Sequence, residues 1–329
     1  MQTALANNRQ ARRRVHVRPN LTIMKGTIAD LKFVRYGDMV VPIVMGKERK
    51  RVINSIVPQG LSQYINNLLT VVQNTGSTYI SGWSSSTPGN TIQLLNNGSV
   101  VQTLTATVIP VLNGSTVIWV FIASDFSSSS YTANQVNLVV TVDYVNSSAT
   151  LVHYSPPFNL ATATTSIVKQ SGDTISFVWE IQLNLGSYAL PAFIFGILYS
   201  IPAVKTSCGG SAVSLGTFGG ETGTGSSCPY NFSSIEIQYI GGSVSANISS
   251  VTASYDGTNT YLVMSASISL SSQITATSII INVSAPSGCS FCVNGQLVGS
   301  GSAIQIPYSA TLSAGTINIT VTIEFSPAT

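Results

Sequence analysis

The chain has 329 residues, of which 44% are apolar, 81 are Ser or Thr, and only 8% are charged. That length and apolar content exclude a solvated disordered polymer, and the polar surface must be built from hydroxyls and amides rather than ions. Charge is split along the chain: twelve Lys/Arg against three acids give residues 1–51 a net +9, while two against eight give the rest −6. Such a split excludes a uniformly basic nucleic-acid binder and argues against an ordinary cytosolic enzyme.

Residues 1–20, with Arg9, Arg12, Arg13, Arg14 and Arg18, read as a mobile basic arm. The stretch Val15–Pro19 is too short and too charged to be the apolar core of a secretory leader. Short β segments follow at 21–23, 31–34 and 39–45, broken by Gly26, Gly37 and Gly46, and then a basic hinge, Lys47–Arg51. Ile56, Leu61, Tyr64, Ile65, Leu68 and Leu69 fall near helical spacing, so 53–72 is expected to hold an amphipathic helix with Pro58 near its first turn. Beyond it, apolar and hydroxyl residues alternate between Gly, Asn and Ser turns, giving strands at 117–122, 136–142 and 175–183. The uncharged stretch 188–204 is short for a membrane span and has Pro191 and Pro202 near its ends, so it reads as a buried helix or strand instead.

Laid on 235–283 at an offset of 143, the segment 92–140 matches without a gap, with 13 identities over 49 positions. The turn Asn113-Gly114-Ser115 falls on Asp256-Gly257-Thr258. With a one-residue slip, 174–183 falls on 316–325. The expected fold is therefore mainly β: a basic N-terminal arm or anchor (1–51), then two tandem antiparallel β-sandwich, jelly-roll-like domains related by internal duplication. Domain A (52–187) opens with the short helix. Domain B (188–329) has a helix counterpart at 192–201 and a Gly- and Ser-rich insertion at 206–230.

Chemistry is sparse. His16 and His153 have no partners at triad or metal spacing, and no phosphate loop, dinucleotide fingerprint or nucleophile elbow is present. Glu180, Glu236 and Glu324 read as edge or solvent-facing strand positions rather than a glycosidase pair. No enzyme activity, cofactor or metal is expected. Cys208, Cys228, Cys289 and Cys292 all fall in domain B. A Cys208–Cys228 disulfide would close the insertion, worth about 3 kcal/mol on the chain-closure model, and Cys289–Cys292 could form a second bridge. Other pairings stay open, and a four-Cys zinc site is the rival, with the first pair too widely spaced for a zinc knuckle. Disulfides would indicate an extracellular or virion surface, or a hyperthermophile's interior.

Sequons occur at Asn20, Asn97, Asn113, Asn146, Asn231, Asn247, Asn282 and Asn318, close to the number that 22 Asn and this Ser/Thr content produce unaided. All but Asn20 are carried as candidate glycosylation sites, with Asn97, Asn113 and Asn146 at expected turns. Arg12, Arg13, Arg14, Arg18, Lys47, Arg49, Lys50 and Arg51 are the candidate anchoring or anion contacts. Assembly against acidic protein surface is the main expectation for them, and nonspecific contact with nucleic acid or lipid headgroups the secondary one.

The helix segment Gly60–Leu69 (GLSQYINNLL) and the closing strand segment Ser166–Leu183 (SIVKQSGDTISFVWEIQL) resemble a module of phage and archaeal-virus tail-fibre and spike proteins, over about 130 residues. The chain departs from that module in its long basic N-terminal region and its second copy. Its low charge and wealth of Ser, Thr, Val and Ile are similar to turret components of turreted icosahedral archaeal viruses. That resemblance implies stacked jelly rolls on a capsid-embedded base, with the basic region inward and domains A and B outward, in a homo-oligomer beside other capsid or tail proteins. It also implies a virion location and a host receptor or glycan as partner. A cellular adhesin, pilus or surface-layer-like subunit is the alternative, and a β-sandwich glycan-active enzyme a distant second.

Overall fold

A single 20-residue strand, β1 (Asn7–Gly26), runs through the middle of the largest sheet. The computed structural model describes residues 7–36, 39–46, 48–64, 79–80, 90–113, 116–141, 143–145, 151–153, 157–184, 207–208, 211–212, 231–284, 291–293, 296–298 and 301–327. After β1 come β2 (Leu31–Tyr36), β3 (Met39–Val44), β4 (Glu48–Val52) and β5 (Asn54–Ile56). The first half continues with β6 (Tyr79–Ile80), β7 (Thr91–Asn96), β8 (Ser99–Thr105), β9 (Thr107–Asn113), β10 (Thr116–Asp125) and β11 (Tyr131–Val140). It closes with β12 (Asp143–Val145), β13 (Leu151–His153), β14 (Phe158–Lys169) and β15 (Thr174–Asn184). The second half holds β16 (Ser207–Cys208), β17 (Ser211–Ala212), β18 (Asn231–Tyr239), β19 (Gly242–Asn247), β20 (Ser250–Tyr255) and β21 (Thr260–Leu270). Its last strands are β22 (Ile274–Ser284), β23 (Phe291–Val293), β24 (Gln296–Val298), β25 (Gly301–Leu312) and β26 (Gly315–Pro327).

The fold is mainly β, as the alternating pattern requires. The large sheet has the order β20-β21-β26-β1-β15-β10-β9, with β4 also paired to β1. Two smaller sheets have the orders β5-β14-β11-β7-β8 and β19-β18-β22-β25. Inward side chains of all three, among them Trp119, Phe121, Trp179, Ile237, Ile281 and Ile319, belong to one buried apolar cluster. Strand for strand, β7 to β11 recur at the repeat offset as β18 to β22. Glycines with positive φ recur with them, Gly98 with Gly241 and Gly172 with Gly315, because the tight turns there need a left-handed residue. The one-residue slip is visible in the registers. Val117 faces Leu183; its equivalent, Thr260, faces Phe325 rather than Ser326.

Residues 7–26 are not a mobile arm. Ala11, Val15, Val17, Leu21 and Ile23 alternate onto the buried face of the large sheet while Arg12, Arg14, His16 and Arg18 point outward. β1 runs parallel to β26 over Asn7–Val17 and antiparallel to β15 over His16–Gly26, so it joins the closing strands of the two halves. Both closing strands would otherwise present an unpaired edge there, which is costly in water and prone to association. Four buried Val, Leu and Ile side chains of β1, at about 1.5–3 kcal/mol each, are comparable with the whole margin of an ordinary domain. Nor are residues 48–51 a hinge: Glu48–Val52 is strand β4, paired antiparallel with Leu21–Lys25 of β1.

The expected helix is present at 58–64, and its continuation to 72 lies outside the described residues. Tyr64 meets Trp119 edge-on, with ring centroids 5.4 Å apart, and Gly60 lies so close to the Asn159 carbonyl that no side chain fits between them. On the other face of the large sheet, the hairpin β2–β3 covers a small second cluster of Met24, Val41, Ile43, Val120, Ile122 and Val178. Its register on the sheet is set by Ser176, whose hydroxyl accepts from the Val44 N–H at 2.9 Å. The counterpart helix at 192–201, the segment 188–204 and the glycine-rich insertion lie outside the described residues apart from β16 and β17.

Candidate anion-binding face

The outward face of β1 is built by strand parity. Every second residue from Arg12 to Arg18 is cationic or imidazole-bearing, and all four are exposed. Register then fixes their neighbours. Arg14 faces Glu324 of β26, Arg18 faces Gln182 of β15, and His16 faces both Asn184 and Ser326. Because β4 pairs with β1, Arg51 and Arg49 lie beside Thr22 and Met24 on the same face. Arg35 on β2 is also exposed.

Glu324 is not solvent-facing, as expected from its strand position, but 1% exposed. β1 covers what would have been the edge. Arg12 Nη2 lies 2.5 Å from its Oε2, and Arg14 Nε donates to its Oε1 at 3.0 Å, as does the Ser326 hydroxyl at 2.8 Å. Burial pushes the Glu324 carboxyl up, but the Ser326 hydroxyl and the two guanidiniums outweigh it and hold the group below its ordinary value. Arg12 also stacks over the Tyr261 ring at 5.5 Å from the centroid, and the Tyr261 hydroxyl donates to Asp256.

On the other side of His16 the surface opens into a cleft of about 350 Å³, lined by Arg13, Arg14, His16, Arg18, Thr116, Gln182 and Asn184. It lies where β15 ends at Asn184 while β1 runs on toward Asn7, leaving residues 7–15 with no strand partner on that side among the described residues. Among the described residues no carboxylate lines it. The nearest acid along β15 is Glu180, one row away, which accepts from the Gln182 amide at 3.2 Å. Among the described residues no ion pair engages Arg18.

No protein-family model and no curated protein matches the chain.

Of the basic residues singled out in the sequence, Arg12, Arg14, Arg18, Arg49 and Arg51 share the outward face, Arg13 lines the cleft, Lys50 is exposed on β4, and Lys47 lies outside the described residues. Pattern reading missed Thr116, Gln182 and Asn184, because only the pairing of strands distant in sequence brings them to the arginines. Cys228 and Cys289 lie outside the described residues, as do the side chains of Cys208 and Cys292, though their short strands, β16 and β23, lie beside one another. Asn97 sits at a turn with φ 50, where its side-chain oxygen accepts from Asn134 at 2.8 Å. Asn113 and Asn247 end strands, and Asn231 opens one. Asn282 and Asn318 sit within β22 and β26, where the first donates to Ser234 and Glu236 and the second accepts from Ser267. Asn146 lies outside the described residues.

Proposed function

We propose that the chain is a non-enzymatic virion structural protein, a turret, spike or tail component, built of two copies of one β unit and anchored by its basic face. The two units correspond to 52–187 and 188–329, each a sandwich of one small sheet on its own half of the large sheet, spliced together by β1. The proposal carries the remaining expectations with it: a homo-oligomer among other capsid or tail proteins, with the outer surfaces of the units available to a host receptor or glycan.

The observation that supports this reading most is the sorting of charge in space. Arg12, Arg14, Arg18, Arg49 and Arg51 share one face of the large sheet, while among the described residues Glu236 and Lys169 are the only charged positions in the strands of the two smaller sheets. A molecule with one cationic face and hydroxyl- and amide-rich surfaces elsewhere suits a subunit that sits on an anionic base and displays the rest. In this reading the anchor is a folded face rather than a flexible tail.

Electron microscopy of particles with the chain located in the density tests the proposal. The cationic face should be turned toward the particle body, with the small sheets outermost. A cationic face directed at solvent, or a chain that never joins a particle, would overturn it.

A further inference from the structure

The two sides of His16 are equivalent in the fold but not in charge. Gln182 and Glu324 correspond under the slipped repeat of the closing strands, as do Asn184 and Ser326, and His16 faces the latter two at once. On the Glu324 side the protein supplies its own oxyanion to two arginines. On the Gln182 side an amide replaces the carboxylate, and Arg18 is left over a cleft of about 350 Å³.

We propose that this cleft binds a phosphate-class oxyanion, which takes there the part that the Glu324 carboxylate plays on the other side. The inference does not rest on the virion reading. Arg13, Arg18, His16, Thr116, Gln182 and Asn184 line the cleft together with Arg14, which Glu324 also engages, and among the described residues no carboxylate lines it. Guanidinium forks match the oxygens of phosphate groups, and several forks around one space favour a tetrahedral, multiply charged anion over a single planar carboxylate. The cleft's size, near the lower end of the usual ligand-site range of about 300–1,000 Å³, fits a diphosphate or a sugar phosphate. The same chemistry is offered by a free phosphate and by the phosphodiester backbone of a nucleic acid.

The probe is pyrophosphate, titrated calorimetrically into the full chain at low ionic strength. The expected result is saturable one-site binding, weakened at least tenfold by Arg18→Gln and abolished by Gln182→Glu, whose new carboxylate would fill the site as Glu324 does on the other side. Lys32→Gln, an exposed cation of β2 outside the cleft, should leave affinity within twofold. Thermal melts confirm that each variant is folded, and should Gln182→Glu fail to fold, the contrast between Arg18→Gln and Lys32→Gln decides alone. Competition with a short single-stranded oligonucleotide then separates the sources: displacement points to phosphodiester, retention to a free or terminal phosphate, and either supports the site. No binding, or equal losses in Arg18→Gln and Lys32→Gln, would overturn it.

Discussion

Gln182 and Glu324 hold equivalent places on the closing strands of the two halves, and each stands opposite an arginine of β1 two positions from His16, Arg18 for one and Arg14 for the other. One difference between amide and carboxylate gives one side of β1 a counter-ion from the protein itself and leaves the other a cationic cleft. Substituting Glu324→Gln makes the sides alike. It should cost about 1–3 kcal/mol, because a buried partner of charged hydrogen bonds is lost, but not the full cost of breaking a buried pair, since the Arg12 and Arg14 side chains are more than half exposed. Chemical denaturation of the variant measures this. An unchanged midpoint would show that the ion pairs contribute nothing.

β1 should be as important to stability as any core strand. Leu21 is 1% exposed and paired on both sides, with Trp179 of β15 and Val52 of β4. Leu21→Ala is expected to lose about 2–5 kcal/mol, the range for a large-to-small change in a packed core. A loss no larger than that of an ordinary surface substitution, about 0.5 kcal/mol, would mean that β1 packs loosely.

Lys169 is a buried cation at the end of β14. Its Nζ donates to the Ser127 carbonyl at 2.5 Å and the Ser129 carbonyl at 3.0 Å, tying down the turn before Tyr131, whose hydroxyl donates to Asp125. Its equivalent in the second half is Leu312, also buried, so the same fold is completed there by apolar packing. Lys169→Met should destabilise by about 1–3 kcal/mol, because two carbonyls lose their donor. Hydrogen exchange should quicken in 126–130 before elsewhere; exchange unchanged there would contradict the role.

Acid should act late. Burial pushes Asp125 and Glu324 up, but hydrogen bonds from Ser127, Gln102 and Tyr131 to the first, and from Ser326, Arg14 and Arg12 to the second, leave both lowered. The Gln170 N–H and Lys25 lower Asp173, and the Asn259 N–H, the Tyr261 hydroxyl and the Thr258 N–H hold Asp256 at about 2. Each group therefore binds a proton more readily in the unfolded chain. Their contribution is complete above the unfolded carboxylate range of about 4 and drains away as pH falls through the lower folded values. Melting temperature should hold from pH 7 to pH 5 and fall only between about 4 and 2. A decline beginning above pH 5 would contradict this assignment.

The strands at 117–122 and 175–183, most of that at 136–142, and the repeat offset with its one-residue slip were legible, because period-two burial and turn glycines are local signals that survive in one sequence. β1 was not. Arg9 and Arg13 interrupt the apolar alternation of Ala11, Val15 and Val17, so the segment reads as a charge cluster. Its partners, Asn184 and Ile317 among others, belong to strands in the middle and at the end of the chain. The cleft inherits that difficulty: nothing near Arg18 in sequence points to Gln182, and nothing near Glu324 announces Arg14. Long-range register, rather than composition, turned a basic segment into a structural strand with one cationic face.

Above all, the basic N-terminal segment is a core strand that joins the two halves. Native-state hydrogen exchange of the full chain is the sharpest test, read at the amides of residues 8–24. Protection rivalling that of β15 and β26 is the predicted result. Exchange at the rate of a free peptide, with β15 and β26 still protected, would contradict it.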